Sequence, residues 1–472
     1  MDNDSTSHIF EELRAWVEAA PSRAQLPTTR ALTAAHGASP VTIQKVLRRL
    51  VALGLIESRP GVGAFVLPRG LPRSADLGWQ TAALGAAPAR IRLSATQRTV
   101  ADDVIALHSG YPAPALLPEQ LVRTALIRAA RTPRALAAMP AAGLAELRAW
   151  FAADLAEAVP ADAPRPSARD VVIVPGSQSA LSSVFRAVAG HERAMVIESP
   201  SYWGAVLAAE QTGIRLVPIP TTADGPDPRD VERALQESGA RAFYAQPTFA
   251  NPTAALWSAG RRREVLDVIR AHGAFLIEDD WARDLAIDAG LPPIAAFDED
   301  GHVVYIRSLT KSVSPSLRVA AVVARGPVRE RILADRAAET MYVSGVLQAA
   351  ALDVVSQPGW RAHLRSLRTT LRDRRDALLA ALREHAPSVR VDTRPLGGLT
   401  LWARLPDHVD AEEVARLCEL RGLAIAAGGE WFPAEAPAPY VRLSFAGPTP
   451  ERFDEAARIL ADVLRETGAV SS

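Results

Sequence analysis

The chain has 472 residues, 48% hydrophobic and 22% charged, a globular composition too long for one ordinary domain. Its 53 basic and 53 acidic side chains cancel, so no overall charge draws it to nucleic acid or membrane, and any basic face must be local. No apolar run reaches the roughly 18 residues of a membrane span, and the polar, acidic stretch Met1–Ser7 is unlike a signal peptide, so a soluble cytoplasmic protein is expected.

Residues 8–67 form one compact pattern. Ile9-Phe10, Leu13 and Trp16-Val17 recur at helical spacing, and a short helix follows over Thr28–His36. Ser39 then stands as an N-cap before Pro40, and a third helix runs from Val41 to Leu53, with Val41, Val46, Leu47 and Leu50 expected on its inner face. Leu55–Arg59, a Pro-Gly-Val-Gly tip and Ala64–Leu67 read as a hairpin. Three helices and a hairpin predict a winged helix-turn-helix, with a boundary at residue 70. From Arg23 to Arg73 there are eight basic residues and a single acid, Glu57. That local excess favours phosphate contact over a merely solvated face.

Residues 71–100 carry scattered Pro and Gly and read as a linker, with some helix around Trp79. From 101 to 472 apolar runs at Val171–Val174, Ala194–Ile197, Ile214–Ile219, Ala242–Ala245, Phe275–Ile277, Val303–Ile306 and Val319–Ala324 alternate with helical patterns. This predicts an α/β unit with a mostly parallel sheet covered on both faces. A long helical region, Val328–Leu382, precedes strands at Val389–Asp392, Leu399–Ala403 and Tyr440–Phe445 with helices at Ala411–Arg421 and Pro450–Thr467, a smaller α+β lobe. The single cysteine, Cys418, falls in the first of these helices and reads as a buried small hydrophobe.

Open α/β sheets bind ligands at the carboxyl ends of their strands. One such end delivers Gly176-Ser177-Gln178 at a helix start, where free N–H groups suit a phosphate. Another delivers Glu278-Asp279-Asp280, which reads either as a metal site or as a carboxylate facing a pyridine nitrogen. A third leads into Ser308, Lys311 and Arg318: an amine able to form an imine, with a hydroxyl and a guanidinium able to grip a phosphate. The chain has only two lysines, Lys45 and Lys311, among its 53 basic residues. Arginine cannot form an imine, so a lysine kept in so arginine-rich a chain marks either that chemistry or a solvated side chain spared by drift.

The segment SLTKSVSPSLR resembles the lysine motif of class I aminotransferases, the fold type I pyridoxal-phosphate enzymes; IEDD, QPTFANPT and VPGSQSAL resemble further motifs of theirs. LPTTRAL and SPVTIQKVLRRLVALGLIESRPGVGAFV resemble a GntR-type winged helix, and together the arrangement resembles the MocR family of regulators over nearly the whole chain. The resemblance implies pyridoxal 5'-phosphate on Lys311, Asp279 at the pyridinium nitrogen, Asn251 at the ring oxygen and Tyr202 stacked on the ring, with Trp203 as packing. It places Ser177, Gln178, Ser308 and Arg318 around the phosphate and makes Arg442 the carboxylate clamp for an amino compound, the alternative for Arg442 being a structural ion pair. Two positions depart from the family: Trp281 and Ala138 stand where tyrosines are usual, which puts efficient transamination in doubt.

In the winged helix, Arg30, Ser39, Thr42 and Gln44 are the candidates for DNA contact, with Arg48, Arg49 and Arg59 for phosphates. The expectation is a homodimeric regulator that binds operator DNA and senses the cofactor or an amino compound. A working aminotransferase with a vestigial DNA module is the alternative, and a purely structural cofactor a third reading.

Overall fold

The computed structural model describes residues 2–68, 80, 83 and 94–470. The chain divides into two compact units, Met1–Ala89 and Arg90–Ser472.

The first unit holds helices α1 (Asp2–Ala19), α2 (Thr29–His36) and α3 (Pro40–Ala52), then an antiparallel hairpin of β1 (Ile56–Arg59) and β2 (Gly63–Val66). Local chemistry sets the helix starts: the Thr28 hydroxyl accepts from Ala31 N–H at 3.2 Å and the Ser39 hydroxyl from Thr42 N–H at 3.1 Å. Ile9, Phe10, Leu13 and Val17 of α1 pack on Leu32, Ile43, Val46, Leu50, Ile56 and Val66. The expected inner face of α3 needs one correction. Val41 is 77% exposed, while Ile43 is fully buried. Ile43, Val46 and Leu50 fall at i, i+3 and i+7, one stripe of the helix; Val41 lies off it.

The second unit begins before residue 101. Residues 94–100, read from sequence as linker, pack within it: Ser94 donates to Glu430 at 2.7 Å and Arg98 pairs with Glu419 at 3.0 Å. The rest of the expected linker, including Arg73 and Trp79, lies mostly outside the described residues, as does Arg69 at the end of the expected winged helix. In chain order come β3 (Ile105–Ala106), α4 (Glu119–Ala130), α5 (Ala145–Ala156), β4 (Val171–Val174), α6 (Ser177–Val188), β5 (Ala194–Ser199), α7 (Trp203–Thr212), β6 (Arg215–Pro220), α8 (Pro228–Ser238), β7 (Ala242–Ala245), α9 (Ala259–Ala271), β8 (Phe275–Asp280), β9 (Val303–Ser308) and β10 (Ala320–Val323). The region Val328–Leu382 resolves into α10 (Pro327–Thr340), α11 (Gly345–Ser356) and α12 (Pro358–His385). Then follow β11 (Thr400–Arg404), α13 (Ala411–Leu420), β12 (Leu423–Ala424), β13 (Ala426–Ala427), β14 (Tyr440–Ser444) and α14 (Phe453–Val470).

Seven strands make the main sheet in the order β4-β10-β9-β8-β7-β5-β6, and β10 alone runs antiparallel to its neighbours. Helices α4, α5, α8, α9 and α11 cover one face; α6, α7 and α10 cover the other. Both faces are therefore buried, which is why these strands read as continuous apolar runs. A three-stranded antiparallel sheet, β11-β14-β13, builds the smaller lobe with α12, α13 and α14, and Cys418 is buried there with its thiol pushed up to about 12 by burial. The strand expected at Val389–Asp392 reduces to one bridge, Arg390 to Arg404. β11 already has β14 along its length, and the residues after Arg390 turn away.

Candidate functional site

The parallel strands β4, β5, β7, β8 and β9 all point their carboxyl ends to one edge, so polar residues distant in sequence meet there. A cavity of 370 Å³ opens at that edge, lined by Ser177, Gln178, Tyr202, Asn251, Asp279, Ser308, Lys311, Arg318 and Arg442, all nine expected site residues of this unit.

Strand alternation sorts the carboxylate trio. Glu278 accepts the backbone N–H groups of Ile294 and Ala295 at 2.9 Å and faces Arg262, while Asp280 accepts from the Tyr305 hydroxyl at 2.7 Å. Asp279 alone turns to the cavity, so the pleat splits the three oxygen donors that a metal site would need together. The Asp279 Oδ2 accepts from Gln246 at 2.8 Å and Tyr244 at 3.0 Å, and its Oδ1 has no partner among the described residues. Burial pushes its carboxyl up to about 6, against the pull of those two hydrogen bonds.

Lys311 follows β9 and lies with Nζ 3.2 Å from the centre of the Tyr111 ring. Burial first, then the guanidinium groups of Arg442 and Arg318, hold its amine well below the usual lysine range. A neutral amine has the free lone pair that a nucleophile needs.

At the phosphate-sized end, Gly176 precedes α6 with φ +92°, and a Cβ there would stand 2.5 Å from the Arg318 guanidinium. Only glycine allows that approach. Arg318 donates to the Pro175 carbonyl at 3.2 Å. Ser308 Oγ accepts from Thr310 N–H, and the hydroxyls of Ser177 and Thr310 are buried without a partner among the described residues. The Gln178 side chain is committed elsewhere, donating to Gly204 O at 2.7 Å and accepting from the Tyr202 hydroxyl at 3.1 Å, so what it can offer a phosphate is its backbone N–H at the helix start.

Arg442, on β14, closes the other end. It donates to His108 O at 2.8 Å and Asn251 Oδ1 at 3.2 Å and lies 4.9 Å over Trp431, and a Cβ at Gly110 would stand 3.5 Å from its guanidinium. Five arginines are buried, and Arg262, Arg307, Arg336 and Arg375 each have a carboxylate within 4.0 Å. Among the described residues Arg442 has none, and its Nε has no partner. Burial lowers its guanidinium to about 10. Among the described residues the ion-pair alternative for Arg442 finds no carboxylate within 4.0 Å, the attraction of Glu430 acting from further away.

Trp203, expected as packing, lines the cavity beside Tyr202. Trp281 also lines it, but its indole N–H is spent on Phe249 O at 3.1 Å. Ala138 is exposed, away from the cavity lining. The sequence reading missed Gln246, Thr310, Tyr111, Thr96 and Gln97. The strand-end rule applied to Ala245 finds Gln246, and Thr310 lies in the SLTKSVSPSLR segment just beyond β9, but Tyr111, Thr96 and Gln97 come from turns and loops with no local signal.

In the first unit Arg30, Ser39, Gln44, Arg48, Arg49 and Arg59 are exposed and Thr42 is half-buried. Not all are unengaged. Ser39 and Thr42 share a hydroxyl bond of 2.9 Å at the start of α3, Arg49 stacks 3.8 Å over Phe10, and Arg59 pairs with Glu57. Gln44 accepts from Arg48 at 3.5 Å.

The donor set is suited to a phosphorylated pyridine aldehyde. Four buried polar atoms of residues lining one cavity (Ser177 Oγ, Thr310 Oγ1, Asp279 Oδ1 and Arg442 Nε) have no partner among the described residues, and each unmet group costs about 1–3 kcal/mol until a ligand answers it. A mixed sheet with such a lysine at its carboxyl edge defines a fold type I, aminotransferase-like unit joined to a helix-turn-helix.

Comparison with known proteins agrees. Residues 102–460 match the family "Aminotransferase class I and II", and residues 5–66 match "Bacterial regulatory proteins, gntR family". The 2-aminoadipate transaminase of Thermus thermophilus is 30% identical over 79% of this chain and 92% of its own length. The probable rhizopine catabolism regulatory protein MocR of Rhizobium meliloti is 27% identical over 99% of this chain and 96% of its own. The crystal structure of LysN, the α-aminoadipate aminotransferase of Thermus thermophilus, complexed with N-(5'-phosphopyridoxyl)-L-leucine, superposes with a TM-score of 0.73 at 28% identity, covering 79% of this chain and 96% of that one. The chain belongs to the aminotransferase class I and II family, with a gntR-family helix-turn-helix at its N-terminal end, the architecture of the MocR regulators. That family implies pyridoxal 5'-phosphate as cofactor, and the helix-turn-helix implies DNA binding. Among the described residues no helix is long and apolar enough to cross a membrane.

Proposed function

We propose that this protein is a DNA-binding transcriptional regulator whose larger unit holds pyridoxal phosphate at Lys311 and reads an amino compound through Arg442. The observation that carries the reading is Arg442: a buried guanidinium with no carboxylate within 4.0 Å among the described residues, in the same cavity as a lysine whose amine burial holds well below its usual range. Its planar fork matches a ligand carboxylate bidentately. When bound, the cofactor supplies an electrophilic aldehyde carbon and a pyridine ring that withdraws electrons.

The chain's own groups divide the remaining work. Ser177, Ser308, Arg318 and the backbone N–H groups opening α6 hold the phosphate; Asp279, with Gln246 and Tyr244 behind it, holds a proton at the pyridine nitrogen. Tyr202 covers the ring. Because Asn251 Oδ1 accepts from Arg442, its amide N–H groups remain to donate to the ring oxygen. Trp281 supplies no second donor there, since its N–H is engaged by Phe249 O. That missing donor favours ligand sensing over turnover. A basic, compact winged helix reads the operator, with Arg30, Gln44 and Arg48 presented to it, and a second copy of the chain completes a homodimer.

The test is a titration of purified protein by visible absorbance. Pyridoxal phosphate should give a bound chromophore that borohydride fixes on Lys311, and Arg442→Gln should keep that colour while losing most of its spectral response to amino acids. Fixation on Lys45, or undiminished response in Arg442→Gln, would sink the reading. Rapid transamination with no effect of ligand on DNA affinity would make the protein an enzyme.

A further inference from the structure

One wall of the cavity is built by the stretch of chain that sequence carries forward from the DNA-reading unit. Thr96 and Gln97 line the same space as Lys311 and Arg442. They belong to a short 3-10 turn, Ala95–Gln97, capped by Ser94, whose hydroxyl accepts from Thr96 N–H at 3.2 Å and lies 2.8 Å from the Thr96 hydroxyl. Ser94 and Thr96 are only 4% and 6% exposed, so this turn is built into the unit; Gln97 is exposed.

Glu430 clips the turn in place. Its carboxylate accepts from the Ser94 hydroxyl at 2.7 Å and from the backbone N–H of Ala95. The next residue, Trp431, is the ring over which Arg442 lies. The wall, the clip and the floor of the carboxylate site are therefore joined through adjacent residues. Glu430 and Arg442 also attract one another electrostatically. A ligand carboxylate seated on Arg442 brings a like charge toward Glu430 and weakens its hold on Ser94.

We infer that Thr96 and Gln97 are ligand-contacting residues and that the Ser94–Glu430 clip transmits occupancy of the Arg442 site to the chain leading back to the winged helix. The inference rests on the proposed function, and it adds the means by which one site biases the other. A ligand shifts DNA affinity only through contacts that differ between two arrangements. A clip that a carboxylate on Arg442 loosens is such a contact.

The experiment uses the full chain and two probes, pyridoxal phosphate and N-(5'-phosphopyridoxyl)-L-leucine, which differ by an amino acid carrying a carboxylate. DNA is a duplex selected by the wild-type protein from a random pool. Gln97→Ala should weaken the leucine adduct about 3- to 10-fold, the worth of one hydrogen bond, and leave pyridoxal phosphate unchanged. Hydrogen exchange in the peptide spanning residues 94–97 should differ between the two probes. In wild type the adduct should change DNA affinity at least about 5-fold; in Ser94→Ala the change should fall within about 2-fold, with Ser94→Thr restoring it. Identical exchange with both probes, equal adduct affinity in Gln97→Ala, or a full DNA response in Ser94→Ala would overturn the inference alone. Failure of wild type to bind either probe would instead remove the proposed function beneath it.

Discussion

Lys311 sits where an ammonium ion is least welcome: desolvated, and facing Arg442 and Arg318. Because its folded-state proton affinity lies below the usual lysine value of 10.5, the unfolded chain binds more protons between those limits, and stability rises with pH across that window. The cost is full below the folded value and gone above the unfolded one. Lys311→Met in the cofactor-free protein should therefore raise Tm at pH 7, with the gap from wild type closing toward pH 10; thermal unfolding at several pH values checks it. A wild type that is the more stable at pH 7 would show that the amine is solvated. The same substitution removes the chromophore. Replacing Lys45, which is exposed on α3, should leave the chromophore in place.

At the scale of an element, the start of α6 and the face of α3 give separate tests. Gly176 combines φ +92° with a position against Arg318, so Gly176→Ala must strain the backbone or displace the guanidinium. If strain on the order of 1–3 kcal/mol falls on the bound state, pyridoxal phosphate affinity should drop about 5- to 150-fold, measured by absorbance titration, with the fold retained. In α3, Ile43→Ala removes a fully buried side chain and should cost about 2–4 kcal/mol, whereas Val41→Ala, at a position 77% exposed, should cost under about 0.5 kcal/mol. The urea midpoint for loss of DNA binding distinguishes them. Equal costs would return Val41 to the inner face where periodicity alone put it.

Over the whole molecule, zero net charge conceals an uneven distribution: from Arg23 to Arg73 basic residues outnumber acids eight to one. If that stretch meets duplex DNA, affinity must fall with salt at a log–log slope of about −0.9 per phosphate contact, and Arg48→Ala should reduce the slope by about one. Arg49 is a poorer choice for that experiment, since its guanidinium already stacks on Phe10 and its loss mixes packing with charge. Gln44→Ala should change sequence preference and leave the slope alone. Salt-independent binding would reduce the basic stretch to a solvated face. Each unit carries its own apolar core, so two unfolding transitions are expected by calorimetry.

The amino-acid sequence by itself determined where strands end and which polar residues stand just beyond them. Ser177, Asp279, Ser308 and Lys311 were legible because periodicity and strand-end position are local properties of the backbone. The lysine scarcity added a chemical reason to choose Lys311. What only the tertiary structure decided concerns partners. Arg442 meets Asn251 across 191 residues, and no periodicity says whether a buried arginine has a carboxylate nearby. Trp281 gives its N–H to a carbonyl 32 residues back. Thr96 and Gln97 read as linker because they lack apolar spacing, yet they form the wall of the site. A charge or hydrogen bond is satisfied by whatever the fold brings within about 3–4 Å, and that distance is set by the packing of the whole unit.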